Sequence, residues 1–391
     1  MSHAAPVSAS TTRALWALMV GNVVIGTGVM MVPGALNDIS ASLAISIPQA
    51  GQLITAAAIM MGLGAPLFAT IVAGWDRRKL LTLSLVWYGV LTAICAFAPS
   101  YPVLLPLRVL AVISPAIFTP QAAASIGLMV DPAHRGRAIT FVFLGWSVAS
   151  VMGTPLAAFV AGAVGWRWVF GLVAFAALLV AAWIWRVMPA QIRPAALSRR
   201  AWGQALGSPA LMLTLSVTLT YSFGQFTLFS YFAPYLQETL GASSGTVALM
   251  FLWFGAFGLL GNMGLSRWVD RIGSARAVLI TLALIALSLV LWPLGRYGFW
   301  PQALIITPWG LGCFASNSAQ QARLVHQSPL LAPATVALNT SAMYGGQALG
   351  AALGGIMIAQ GQLLRLHELS LVLMLCAMGL SIWATRYQNR S

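Results

Sequence analysis

Long uncharged runs decide what this chain can become. Residues Ala14 to Asn37, Val109 to Val130 and Tyr297 to Ala322 contain no Asp, Glu, Lys or Arg. Each exceeds the roughly 20 residues that cross a bilayer as a helix. Sixty per cent of the chain is hydrophobic and seven per cent charged, against about a quarter charged in ordinary soluble domains. That composition excludes a water-soluble fold and implies an all-α integral membrane protein, because helices satisfy their own backbone inside lipid.

Taken in order, the apolar runs predict spans at 13–35, 47–74, 79–98, 101–129, 137–162 and 166–188, then at 209–236, 244–268, 275–295, 298–323, 333–360 and 366–386. Between the two sets of six lies a polar, proline-broken stretch around Pro189, Arg193 and Pro194, the natural linker. The expected organisation is an N-terminal half at 1–188, a cytoplasmic linker at 189–208 and a C-terminal half at 209–391. The first span lacks an early basic cluster and an Ala-x-Ala cleavage site, so it reads as a retained helix and not as a signal peptide.

The net charge of +14 is spread over short loops and forms no groove-sized patch, so it does not point to nucleic acid. Sixteen basic residues fall on the side that carries the termini and three, Arg167, Arg296 and Arg365, on the other. The positive-inside rule then places both termini in the cytoplasm. Cys95, Cys313 and Cys376 lie within apolar runs without metal-ligand spacing, and neither a metal nor a cofactor is expected.

A charged turn occurs twice. The second span ends in Trp75-Asp76-Arg77-Arg78-Lys79, and the eighth ends in Arg267-Trp268-Val269-Asp270-Arg271-Ile272-Gly273; Asp76 and Asp270 are 194 residues apart. Leu36-Asn37-Asp38 and Leu236-Gln237-Glu238 likewise end the first helix of each half. Two six-helix halves with weak internal similarity are the organisation of major facilitator transporters, whose substrate sits between the halves near the midplane.

Arg108 is the one charged side chain well inside a span. A central arginine costs about 2.5–3.5 kcal/mol on insertion scales, which favours a cavity-facing position over snorkelling toward the nearby helix start at Pro102. No carboxylate lies deep in any span, so Asp38 and Glu238 join Arg108 as the coupling candidates. Gly145, Gly153, Pro155 and Gly162 in the fifth span, and Gly346, Gly350 and Gly354 in the eleventh, predict close-packed, bendable helices. Cavity candidates come from the first and fourth helices of each half: Asn22, Met30, Thr119, Gln121, Gln225, Tyr231, Trp309, Asn317 and Gln320. Apart from Arg108 these are neutral, which suits a neutral or amphipathic solute, although one arginine could instead select an anionic group.

Nearly the whole chain resembles the twelve-helix drug:proton antiporter group of the major facilitator superfamily, and within it permeases of the bacterial sugar-efflux and purine-efflux type. The resemblance rests on Val24-Ile25-Gly26-Thr27 with Ile39 and Ser40, on Gly64-Ala65-Pro66 through Lys79, on Arg108, on Arg135-Gly136-Arg137, on Gly153-Thr154-Pro155 and on Gly165-Trp166-Arg167-Trp168. It implies that Asp76, Arg77, Arg78, Asp270 and Arg271 form a conformational latch, with Asp76 facing the start of the eleventh helix near Thr335. It further implies that Arg108 serves proton coupling and that Gly153 with Pro155 shape the fifth helix as in antiporters. Two departures stand out: Arg78 occupies the place of the usual loop glycine, and Val29 that of a first-helix glutamate.

The expectation is therefore a monomeric exporter of a drug-, sugar- or nucleoside-like solute, working by alternating access and proton antiport in contact with membrane lipid. Alternatives are a proton-independent uniporter or importer, or a membrane sensor that keeps the fold. An enzyme is disfavoured because no span holds the His, Asp or Glu that hydrolytic or transfer chemistry needs.

Overall fold

The computed structural model describes residues 9–388 except 73, 132–134, 194–198 and 329–330. Within helices it also leaves some side chains undescribed, among them those of Arg135, Arg137, Arg199, Arg200, Arg267 and Asp270. Fifteen α-helices and no strand occur among the described residues: α1 Ala9–Leu43, α2 Ile47–Ile71, α3 Arg77–Ala96, α4 Tyr101–Ala111, α5 Ile113–Met129, α6 Arg135–Val164, α7 Trp166–Val187, α8 Arg199–Leu206, α9 Pro209–Phe229, α10 Phe232–Leu240, α11 Ser244–Ile272, α12 Ser274–Leu291, α13 Phe299–Gln327, α14 Ala332–Ala359 and α15 Leu366–Gln388. Pairing α4 with α5 and α9 with α10 gives twelve spans; the short α8 lies in the expected linker.

Ten spans are long and apolar enough to cross a membrane by themselves. The α9/α10 pair and α13 are the other two, and they carry more polar side chains, among them Thr214, Thr218, Gln225, Gln302, Asn317 and Gln320. Helix starts are set locally: Ser46 and Gln49 form a capping box on α2, while Ser208 and Ser243 cap α9 and α11.

Three expected boundaries move. The fourth span breaks at Val112, where Pro115 can give no hydrogen bond to Ala111; the seventh breaks at Ser230–Tyr231, where Pro234 does the same to Ser230. The first helix does not end at Leu36-Asn37-Asp38 but runs on to Leu43, leaving the half-buried Asp38 inside it. The two charged turns also differ. Asp76 follows a break and caps α3, whereas Asp270 lies within α11, which continues to Ile272 and stops at Gly273 with φ +80°.

Each half forms one bundle, and the second repeats the first. In the first, α1 packs on α6 and α7, and α3 on α7 and α5; in the second, α9 packs on α14 and α15, and α12 on α15 and α13. The bundles meet along two seams, α2 with α14 and α6 with α11. Glycines bring the helices close at both seams. A Cβ on Gly255 would lie 2.7 Å from Val151 Cα, and one on Gly62 would lie 3.4 Å from Gly345 N. Residues 62 and 255 are 193 apart and residues 151 and 345 are 194 apart, so both mid-seam contacts follow the repeat.

At the end of the bundle opposite the termini, both seams are also in contact. Gly162 abuts Ser244, and a Cβ on Gly355 would lie 3.7 Å from Pro48 Cα. The Tyr231 ring fills the space between Gly51, Gly354 and Gly355, and its hydroxyl donates to Ala351 O at 2.6 Å.

Within the bundles, Gly346, Gly350 and Gly354 bring α14 against the α9 carbonyls of Leu219, Phe223 and Thr227. Small residues at four-residue spacing are what helix association in lipid requires. Gly350→Val should destabilise the protein by about 1–3 kcal/mol through overpacking, since its added carbon would meet Phe223 O at 2.6 Å. Gly379→Val, at a position with nothing within 4 Å, should leave thermal stability in detergent nearly unchanged. Equal melting temperatures for the two variants would contradict this close α9–α14 packing.

Candidate functional site

Polar side chains in this core act first as brackets between helices. Asn22 on α1 donates to Val142 O on α6 at 3.1 Å and accepts from Thr119 on α5 at 2.8 Å; Trp146 Nε1 of α6 donates to the same Thr119 hydroxyl at 3.0 Å. In the second bundle Thr218 on α9 donates to Asn339 Oδ1 on α14 at 2.6 Å, and Asn339 Nδ2 donates to Asn317 Oδ1 on α13 at 3.1 Å. The pairs 22 and 218, 119 and 317, and 142 and 339 are separated by 196, 198 and 197 residues. The same three-helix junction is thus built twice with different side chains.

The other cavity candidates scatter. Gln320 donates to Thr214 O at 2.6 Å and ties α13 to α9, while Met30 contributes a carbonyl that accepts from Thr154. Buried Trp309 belongs to an aromatic cluster with Phe254, Trp292 and Phe229, at ring separations of 5.4, 5.6 and 6.3 Å. Gln121 and Gln225 are buried, and Gln225 Nε2 has no partner. Tyr231 sits in the seam already described.

Arg108 is 1 % exposed on α4. Its Nη2 donates to Gly28 O of α1 at 2.7 Å, and its guanidinium lies 5.9 Å from the Phe170 ring centre. Nε and Nη1 have no hydrogen-bond partner. Together with Val29, Met61, Tyr344 and Gln347 the side chain lines a small cavity of about 10 Å³, room for one water, between α1, α2, α4 and α14, at the seam of the two bundles. Asp38 is half-buried further along α1, and Glu238 is exposed beside Arg296 and His367 at the end opposite the termini.

The charged turn of the first half is an ordered knot. The Asp76 carboxylate accepts from Lys79 N at 3.1 Å and from Gln191 N, and Arg77 N donates to Ile192 O at 3.0 Å. Arg77 is buried, with Nη1 donating to Val72 O and Trp75 O, and Arg78 stacks over Trp185 at 4.4 Å. Asp76 therefore holds the segment after α7. Arg271 is exposed, and the side chain of Asp270 lies outside the described residues. Gly153 packs on Thr27 Cα of α1, and Pro155 removes the helical donor for Val151 O beside Gly255.

Sequence reasoning missed Trp146, Asn339, Tyr344 and Gln347 by confining the cavity to the first and fourth helices of each half. A polar residue every helical turn in the eleventh span, at Asn339, Tyr344 and Gln347, was the available signal.

Two outcomes are expected. Asn339→Leu strands the Thr218 hydroxyl and Asn317 Oδ1, costing about 1–3 kcal/mol; adding Thr218→Val should recover part of it in a double-mutant cycle read by thermal melting. Asp76→Ala should speed hydrogen exchange at the amides of Lys79 and Gln191 and leave the α9–α14 amides unaffected. Unchanged exchange at Gln191 would remove the knot.

Comparison with known proteins agrees with this architecture. The chloramphenicol resistance protein of Streptomyces lividans is 30% identical over 87% of this chain and 89% of its own. A probable sugar efflux transporter of Pasteurella multocida is 24% identical over 82% of this chain and 79% of its own. The crystal structure of a bacterial homolog to the human lysosomal transporter Spinster superposes with a TM-score of 0.74 at 19% identity, covering 98% of both chains. The family model described as Major Facilitator Superfamily matches residues 18–355, and the chain belongs to that superfamily of membrane transporters.

Proposed function

We propose that this transporter exports a small neutral or amphipathic organic solute from the cytoplasm by alternating access, acting as a monomer in the bacterial inner membrane. The observation that carries the reading is the pair of repeat-related seams, each touching through glycine at mid-height and closed at the end opposite the termini. Rigid bundles meeting through small-residue contacts are what rocking about a midplane site requires. The halves 1–188 and 209–391 are the moving bodies, and the 189–208 linker, tied to Asp76, joins them. Sixteen basic residues on the termini side support a cytoplasmic location for both termini. The efflux relatives support the direction of transport, and the buried polar brackets with the Trp309 aromatic cluster support an amphipathic solute.

Proton antiport is the coupling we assign, with Arg108, Asp38 and Glu238 as its candidates. One observation favours a second, proton-independent reading: Val29 lines the cavity beside Arg108 where the resemblance calls for an acid.

Inside-out vesicles containing the protein separate the two. With labelled chloramphenicol as the first probe, antiport predicts uptake that rises when the vesicle interior is made acidic and collapses with the gradient. Uptake indifferent to the gradient assigns the second reading, and the absence of carrier-dependent uptake across a panel of drugs, sugars and nucleosides would overturn export itself.

A further inference from the structure

At the end opposite the termini the chain is sparing with charge, and much of what it keeps is gathered in one place. Glu238 on α10, Arg296 in the turn Trp292–Tyr297 and His367 at the start of α15 line a cavity of about 290 Å³, together with Tyr235, Thr239 and Leu364. Arg365 and Glu368, on either side of His367 in the sequence, pair with each other at 3.1 Å, the one ion pair among the described residues. Glu238 and Arg296 therefore share the cavity without pairing, and both charges stay open to a ligand.

Local hydrogen bonds set what each group can offer. Arg296 Nε donates to Pro293 O at 2.8 Å, which leaves its two NH2 groups to a ligand. His367 Nδ1 donates to Leu364 O at 2.9 Å, since a carbonyl can only accept, and the neutral ring then accepts at Nε2. The cavity thus presents a cationic donor fork with two acceptors, the Glu238 carboxylate and His367 Nε2. Its complement is a small unit that joins an anionic oxygen group to a cation bearing N–H donors. The surroundings add an apolar requirement. Leu294 and Tyr297 of the same turn are exposed, as is Leu364. Leu287 and Val290 carry the exposed stripe of Leu294 down α12, and Val372 and Leu375 carry that of Leu364 down α15; the two spans pack on each other. Charges beside tyrosine and leucine at the end of a span lie at head-group depth.

We propose that this cavity seats the head group of a phospholipid that carries a phosphate and a primary ammonium, the chemistry of phosphatidylethanolamine. The phosphate meets Arg296, the ammonium meets Glu238 and His367 Nε2, and the acyl chains follow the α12 and α15 stripes. Tyr231, whose ring fills the seam at this end, immediately precedes α10, so a lipid joining Glu238 to Arg296 and His367 steadies the helix that follows that ring. The site requires neither a direction of transport nor a coupled proton.

The test uses purified full-length protein in detergent, stripped of lipid and titrated with dioleoyl phosphatidylethanolamine, phosphatidylcholine or phosphatidylglycerol, with bound lipid counted by native mass spectrometry. Phosphatidylcholine keeps the phosphate and replaces the N–H donors by methyl groups, and phosphatidylglycerol keeps the phosphate and lacks the cation. Phosphatidylethanolamine should bind about two- to fivefold more tightly than either, the factor expected of a solvent-exposed ion pair. Glu238→Gln should remove that preference, and Arg296→Gln should weaken all three lipids. Arg167→Gln, at the same end of the other bundle and bonded to Ser42, should change none of them.

Equal binding of the three lipids by the unsubstituted protein, or tighter binding of either rival, would overturn the site without recourse to any variant. A preference that survives Glu238→Gln, or a loss from Arg167→Gln equal to that from Arg296→Gln, would do the same. Displacement of the lipid by an equal concentration of phosphoethanolamine would assign the cavity to a soluble zwitterion and overturn the lipid.

Discussion

In hydrocarbon, apolar side chains gain nothing by meeting one another, since the lipid tails they leave are equally apolar. What holds these helices is close backbone approach. Gly346, Gly350 and Gly354 against α9, with Gly145 and Gly153 against α1, shorten the distance between helices until whole backbones lie in van der Waals contact. The hydrogen-bonded brackets centred on Thr119 and Asn339 then fix the rotation of three helices at once in each bundle. The seams between bundles use the same small-residue device, at Gly62 and Gly255.

The spans were legible because charge is so costly in lipid that its absence over twenty residues leaves few alternatives. Glycine spacing in α6 and α14 was legible for a related reason, since small residues are where helices can meet. Helix breaks were harder to read. Pro33, Pro66, Pro106, Pro120, Pro155 and Pro308 all sit within continuous helices, whereas Pro115 and Pro234 stand just after interruptions. Neighbouring packing decides whether the carbonyl freed by a proline is satisfied, and packing is not written in a local window. Asp38 was misjudged as a terminus because a single carboxylate near a span end stops a hydropathy count without stopping a helix.

At the candidate site, Arg108 could be singled out because it was the one charge that broke an otherwise consistent pattern. Its surroundings could not. Gln347 and Tyr344 come from a helix some 240 residues later in the chain, and only the packing of α14 on α2 brings them to the same cavity. The matched charged turns show the opposite error. Asp76 and Asp270 share their sequence surroundings, yet one caps a new helix and the other rides inside an old one. Symmetry of motif did not carry through to symmetry of backbone.

The mid-height glycine contacts give the molecule a lever. From Val151, where α6 meets Gly255, to the start of α6 at Arg135 is sixteen residues, or about 24 Å of rigid helix. A turn of about 10° about that contact would sweep the far end through about 4 Å, close to the radius of a small solute. Gly62 against Gly345 is the second such contact, on the other seam, so a rocking of one bundle on the other about both points would be described by one angle.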